Sequence, residues 1–206
     1  KNSQKYYSNT SGSSSRAREV LGLPRRTSYS VLRPELVRIF IRVLEEELYP
    51  SYDPARLAFV LQGKVGEALL ASALALPQQS YYKGTLRKAA VLLRSLVNNH
   101  PFIDGNKRFA LFMVTLFLAT NKFVLLSPKD EAVSFLLRVA GEDKLSIFSI
   151  ERWLNRFCLY GVSISNALQK FKRMATKYPG GLLVLESTIN VYKRTILFYF
   201  ATKDKI

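Results

Sequence analysis

Apolar residues recur at helical spacing through the middle of the chain. Between residues 86 and 99 they fall on one helical face, at Leu86, Ala89, Ala90, Leu93 and Val97. Residues 108–121 are apolar almost all round, which is typical of a helix buried at the centre of a domain. The polar residues between these two segments are therefore expected to form a loop at the N-terminus of a central helix.

Cap signals and apolar spacing predict four more helices. Their expected starts are Pro34, Asp53-Pro54, Ser127-Pro128 and Ser149. The second of these helices is expected to run to about Leu74, and Gly63 and Gly66 are expected to weaken or break it. Gly141 is expected to end the third helix. Ordered structure is expected to begin at Pro34.

Residues 77–84 lack helical periodicity and end in a turn signal, so they are predicted to form an extended flap. Further along, a basic amphipathic helix is predicted over residues 165–177, and strands over 182–185 and 196–200. The predicted fold class is all-α, a helical bundle with a short β-like flap. A flexible N-terminal tail and a basic C-terminal extension are expected to flank it.

The formal net charge of +16 lies largely toward the two ends of the chain. Residues 1–30 carry +5, residues 31–158 carry +5 and residues 159–206 carry +6. We therefore predict a disordered, serine-rich basic tail (1–30), one domain (31–158) and a basic extension (159–206). The basic ends would suit nucleic acid or an anionic surface, but solvated tails are the favoured interpretation.

The composition excludes several classes of function. One cysteine and one histidine exclude structural zinc sites of the usual types and leave no separate partner for Cys–His catalysis. No P-loop or Gly-x-Gly-x-x-Gly motif occurs. The longest apolar run, residues 109–119, is too short to span a membrane. A cytoplasmic protein is expected, with an organelle transit peptide in residues 1–30 as the alternative.

The loop between the two central helices carries the candidate chemistry. His100 is the only histidine and would serve as a general base, or would merely cap the preceding helix. Asp104 would hold Mg²⁺, or cap the following helix. Gly105 would let the backbone approach a ligand closely.

Three donors follow in sequence. Asn106 and Arg108 are expected to bind phosphate oxygens, and Lys107 either binds phosphate or projects into solvent. The free N–H groups and the positive dipole of a helix N-terminus favour an anion at this point. A base, a metal ligand and an anion site within nine residues predict phosphate-transfer chemistry.

The segment 100–108, HPFIDGNKR, resembles the active-site loop of the Fic/Doc (Fido) family. It is most similar to the death-on-curing (Doc) branch, in which a lysine stands at the position of Lys107. Relatives that transfer AMP usually have glycine there and a second arginine at the position of Leu111. The likeness extends from about Arg33 to about Phe157 and implies a Fido helical bundle.

The resemblance implies an enzyme that uses ATP, or another nucleoside triphosphate, with Mg²⁺. The Doc branch implies transfer of the terminal phosphate to a protein hydroxyl, with His100 as base and elongation factor Tu as the target. It also implies a toxin. Self-restraining relatives carry a Ser/Thr-x-x-x-Glu-Gly/Asn segment, which Ser15, Glu19 and Val20 match poorly, so an antitoxin is expected to act in trans.

The flap would bind the target through Gln79, Ser80, Tyr81 and Tyr82. Two alternatives to the kinase interpretation stay open. One is AMP transfer, because a loop motif does not fix how the nucleotide is oriented. The other is a basic interaction module that keeps the loop without turnover.

Overall fold

The computed structural model describes residues 27–48, 59–141 and 145–161. The described chain is mostly helical and contains one small sheet. Its α-helices, in chain order, are α1 (Pro34–Leu48), α2 (Gly63–Ala75), α3 (Thr85–Asn99), α4 (Asn106–Thr120), α5 (Lys129–Ala140) and α6 (Ile147–Phe157). Two short 3₁₀ helices cover Ser30–Leu32 and Leu76–Gln78. The predicted helical fold class is thereby confirmed.

Helix α4 is the centre of the bundle. Every residue from Phe109 to Leu118 is buried, as the apolar run predicted. Helix α3 packs against α4 on one side and against α6 on another, and it is buried from Lys88 to Leu93. Removing this much apolar surface from water is the main force that holds the loop between α3 and α4 in place.

The described core reaches further toward the N-terminus than Pro34. The backbone N–H of Ser28 donates to Oδ1 of Asn121 at 2.7 Å, and Nδ2 of Asn121 donates to the Ser28 carbonyl at 3.0 Å. Tyr29 stacks on Phe117, with ring centroids 6.3 Å apart. The expected start of order at Pro34 was therefore too late, because Asn121, at the end of α4, holds the preceding segment.

Three helices begin elsewhere than predicted. The predicted start at Asp53 lies outside the described residues, but no helix runs unbroken from there, because residues 60–62 pair with the loop that follows α3 and helix α2 begins at Gly63. Helix α6 begins after Ser146, whose hydroxyl accepts from the Ser149 backbone N–H at 3.1 Å, so the cap is Ser146 rather than Ser149. Helix α5 begins at Lys129, so its N-cap is Pro128 rather than the predicted Ser127, and it ends at Gly141 as predicted.

The predicted extended flap is not extended. Residues 76–78 form a 3₁₀ helix, and turns and bends follow it up to Gly84. The described sheet lies elsewhere, where β1 (Phe123–Leu125) pairs antiparallel with β2 (Cys158–Tyr160). The predicted helix at 165–177, the predicted strands at 182–185 and 196–200, and most of the 1–30 tail lie outside the described residues. No helix in the described part is both long and apolar enough to cross a membrane.

Candidate active site

The candidate site is the turn that joins α3 to α4. Helix α3 ends at Asn99, and the C-cap residue His100 that follows has a left-handed backbone with φ +47° and ψ +56°. A non-glycine residue in this region costs about 1–2 kcal/mol, and the following Pro101 restricts it further. Such conformations persist only where the surrounding structure holds them, and they cluster at functional sites. The side chain of His100 is exposed.

A short antiparallel pairing fixes this turn against the segment before α2. Leu61 and Phe102 form an isolated bridge, and the Ile103 N–H donates to the Val60 carbonyl at 2.9 Å. The ring of Phe102 is fully buried in the core. Phe102 therefore anchors the loop in the core. The pairing partner, residues 60–62, was not identified from sequence.

Gly105 adopts the left-handed conformation, with φ +83°, and immediately precedes α4. A Cβ at this position would lie 2.7 Å from Cε1 of Phe59. A close approach to the protein's own aromatic ring therefore requires glycine here, and the expected approach to a ligand stays a prediction. Phe59 in turn packs edge-on against Phe102, with ring centroids 5.9 Å apart. Gly105 thus lets the loop lie on the core.

Asn106 holds the loop from within. Its Oδ1 accepts from the Phe102 N–H at 2.9 Å, and its Nδ2 donates to the Phe102 carbonyl at 2.8 Å. The residue is buried. A phosphate contact by this side chain stays a prediction, because the geometry already engages its oxygen and one of its N–H groups. Positioning the loop is the role that these contacts support.

The exposed face of the turn carries charge. The Asp104 carboxylate accepts from the Arg108 guanidinium at 3.1 Å, with 74% and 48% of the two side chains exposed. Exposed ion pairs contribute about 0–1 kcal/mol, so an incoming ligand could replace this contact at little cost. Lys107 is also exposed, on the first turn of α4. The first N–H groups of that helix precede its first intrahelical bond, from Phe109 to Gly105.

The flap residues lie on a separate segment. Tyr81 is 64% exposed, and its ring centroid is 4.4 Å from that of the half-buried Tyr82. Gln79 and Ser80 are exposed in the turn before them. The turn brings His100, Asp104, Lys107 and Arg108 together on one short stretch of chain.

Lys88 is a contributor that sequence reasoning missed. It is buried on α3, where its Nζ donates to the carbonyls of Pro77 at 2.9 Å and Gln79 at 3.2 Å. It also lies 5.2 Å from the centre of the Tyr29 ring. A buried ammonium needs such partners, and these contacts give the flap its turned shape. The sequence signal that could have identified Lys88 as buried is its position on the inner face of the predicted helix α3.

The donor set suits Mg²⁺ only in the company of a phosphate ligand. No group of three or more His, Cys, Asp or Glu side chains in the described ranges could hold a metal ion. Mg²⁺ is usually held by one or two carboxylates together with substrate phosphates and water. The exposed carboxylate of Asp104, next to the N-terminus of α4, meets that requirement.

Comparison with known proteins gives a match to one family model, whereas no curated protein and no solved structure matches the chain. Residues 34–118, which run from the start of α1 to near the end of α4 and include the whole candidate site, match the model of the Fic/DOC family. This match supports a Fido domain in that part of the chain, without separating the Doc branch from the others.

Proposed function

We propose that this protein is a Doc-like phosphotransferase, which moves the terminal phosphate of a nucleoside triphosphate to a hydroxyl side chain of another protein. The observation that carries the proposal is the turn between α3 and α4. It presents one exposed imidazole, one exposed carboxylate and two exposed cations at a helix N-terminus. The Fic/DOC match over residues 34–118 supports the coarser assignment, a Fido-type enzyme that modifies proteins.

In the proposed reaction His100 removes the proton from the target hydroxyl as its oxygen attacks the terminal phosphorus. The new O–P bond forms while the bond to the β-phosphate oxygen breaks, and the nucleoside diphosphate leaves. Positioning and electrostatic stabilisation supply most of the catalysis in such reactions. Here Arg108, Lys107 and the N-terminus of α4 would stabilise the charge on the phosphoryl group.

Asp104 is the residue that would hold Mg²⁺. Bound there, the ion would neutralise charge on the triphosphate. Because Asp104 pairs with Arg108 at 3.1 Å, the two side chains would have to separate for each to take its ligand. An exposed ion pair contributes only about 0–1 kcal/mol, so separating the two side chains costs little free energy.

Lys107 favours terminal-phosphate transfer. AMP-transferring relatives have glycine at this point, and the lysine side chain would obstruct their nucleotide pose. Leu111 adds to this, since it stands where those relatives have a second arginine and is buried in the core. A Doc-like protein would act on translation elongation factor Tu as a toxin held in check by an antitoxin, and both partners are part of the proposal.

Mass spectrometry of the target tests this assignment. The purified protein is incubated with ATP, Mg²⁺ and elongation factor Tu, and the target is digested and its peptides weighed. A gain of one phosphate on a Ser, Thr or Tyr peptide supports the proposal. A gain of AMP would replace it by AMP transfer, and an unmodified target would refute elongation factor Tu as the substrate.

A further inference from the structure

Gln62 lies outside the loop, yet it donates to three consecutive carbonyls within it. Its side-chain Nε2 donates to the carbonyls of His100 at 2.9 Å and Phe102 at 3.1 Å. Its backbone N–H donates to the carbonyl of Pro101, between them, at 3.0 Å. The side chain makes no capping bond to its own helix, α2. Its amide is therefore committed to the loop.

The residue that most needs such support is His100. Its left-handed backbone is unusual for a residue with a side chain, and the next residue is a proline, which disfavours it further. Rotation of the His100 backbone would carry its carbonyl away from Nε2 of Gln62. The hydrogen bond therefore opposes the motion that would return His100 to an ordinary conformation.

We infer that Gln62 is a positioning residue for His100, one that fixes the backbone torsions from which the imidazole extends. The inference rests on the proposed role of His100 as the base. Because Gln62 is exposed, its two amide bonds compete with water and contribute little to global stability. Displacing a base by a fraction of an ångström, in contrast, acts directly on the rate.

The substitution Gln62→Glu tests this, because an ionised carboxylate keeps the shape of the amide but cannot donate. Gln78→Glu is a matched control. Gln78 is also exposed, and its Nε2 donates at 3.0 Å to a backbone carbonyl, that of Leu74, which is not part of the loop. Thermal unfolding of both variants checks that each is folded.

The first readout is the NMR spectrum of the imidazole, which needs no activity. Because His100 is the only histidine in the chain, its ring signals are unambiguous. We expect Gln62→Glu to shift and broaden them as the loop exchanges between conformations, and Gln78→Glu to leave them unchanged. Unchanged His100 signals in Gln62→Glu and also in Gln62→Ala would overturn the inference.

The second readout is the rate of transfer. Gln62→Glu should lower kcat roughly 10-fold to 10²-fold, with KM for the nucleotide within about twofold of the unmutated value. Gln62→Lys, which restores a donor, should recover part of kcat. A rise in KM for the nucleotide with kcat unchanged would count against a positioning role for Gln62. If the unmutated protein transfers nothing, the proposed function fails, and the NMR comparison still decides the role of Gln62.

Discussion

The two hydrogen bonds between Asn106 and the backbone of Phe102 make a quantitative prediction. Asn106→Ala removes both bonds. The Phe102 N–H then has no partner beside a fully buried ring, whereas the Phe102 carbonyl keeps the bond from Nε2 of Gln62 at 3.1 Å. A buried backbone group without a partner costs about 1–3 kcal/mol. Because one backbone group loses its partner, we expect a loss of about 1–3 kcal/mol in the free energy of unfolding.

Urea denaturation followed by circular dichroism measures this loss. Asn155→Ala is the matched control, since Asn155 is exposed on α6 and its truncation should change stability by less than about 0.5 kcal/mol. A loss below about 0.5 kcal/mol for Asn106→Ala would refute the loop-holding role and return the side chain to phosphate binding.

Three further sets of substitutions and one alkylation measurement test the site and the core. His100→Ala should reduce transfer by roughly two to four orders of magnitude with nucleotide affinity nearly intact, so an unmutated rate would show that another group is the base. Lys107→Gly should lose most terminal-phosphate transfer, and undiminished transfer would contradict the role of its charge. Replacing Tyr81 and Tyr82 by Ala should weaken target modification more than nucleotide binding, and equal losses would count against target recruitment. Burial raises the pKa of the Cys158 thiol to about 12, so alkylation at pH 8 should be at least roughly 10²-fold slower in the folded than in the unfolded protein.

The raised pKa of Cys158 also fixes the direction of a pH effect on stability. The folded protein holds the thiol proton more tightly than the unfolded chain, in which the thiol titrates near its ordinary pKa of about 8.5. Its contribution is therefore complete below that pH and is lost as the pH rises toward about 12. A Cys158→Ala variant should lack this part of the alkaline decline in the free energy of unfolding.

The central helices could be predicted because their signal is local. The apolar spacing of residues 86–97 and the unbroken apolar run of 109–119 leave α3 and α4 no comparable alternative to burial. The start of α2 could not be predicted in the same way. The cap signature at Asp53 is a local signal, whereas the helix starts at Gly63 because residues 60–62 are taken up by pairing with Phe102 and its neighbours.

In the candidate site, too, the residues close together in sequence could be predicted and the distant ones could not. The nine residues that carry the chemistry are contiguous, so the sequence displays them together. The residues that hold them are distant in sequence: Gln62 is 38 positions from His100, and the Phe59 ring packs on Gly105. The turned flap depends on Lys88, which bonds to carbonyls about ten positions earlier. Such contacts arise from packing, and no spacing rule reveals them.

The most direct test of phosphate transfer compares two labels in ATP. The protein is incubated with Mg²⁺ and elongation factor Tu, using ATP labelled on the terminal phosphate in one reaction and on the α-phosphate in the other. We predict that only the terminal label reaches the target and that His100→Ala lowers the rate of its transfer by roughly two to four orders of magnitude. Transfer of the α label alone, or transfer of the terminal label by His100→Ala at the unmutated rate, would contradict phosphate transfer with His100 as base.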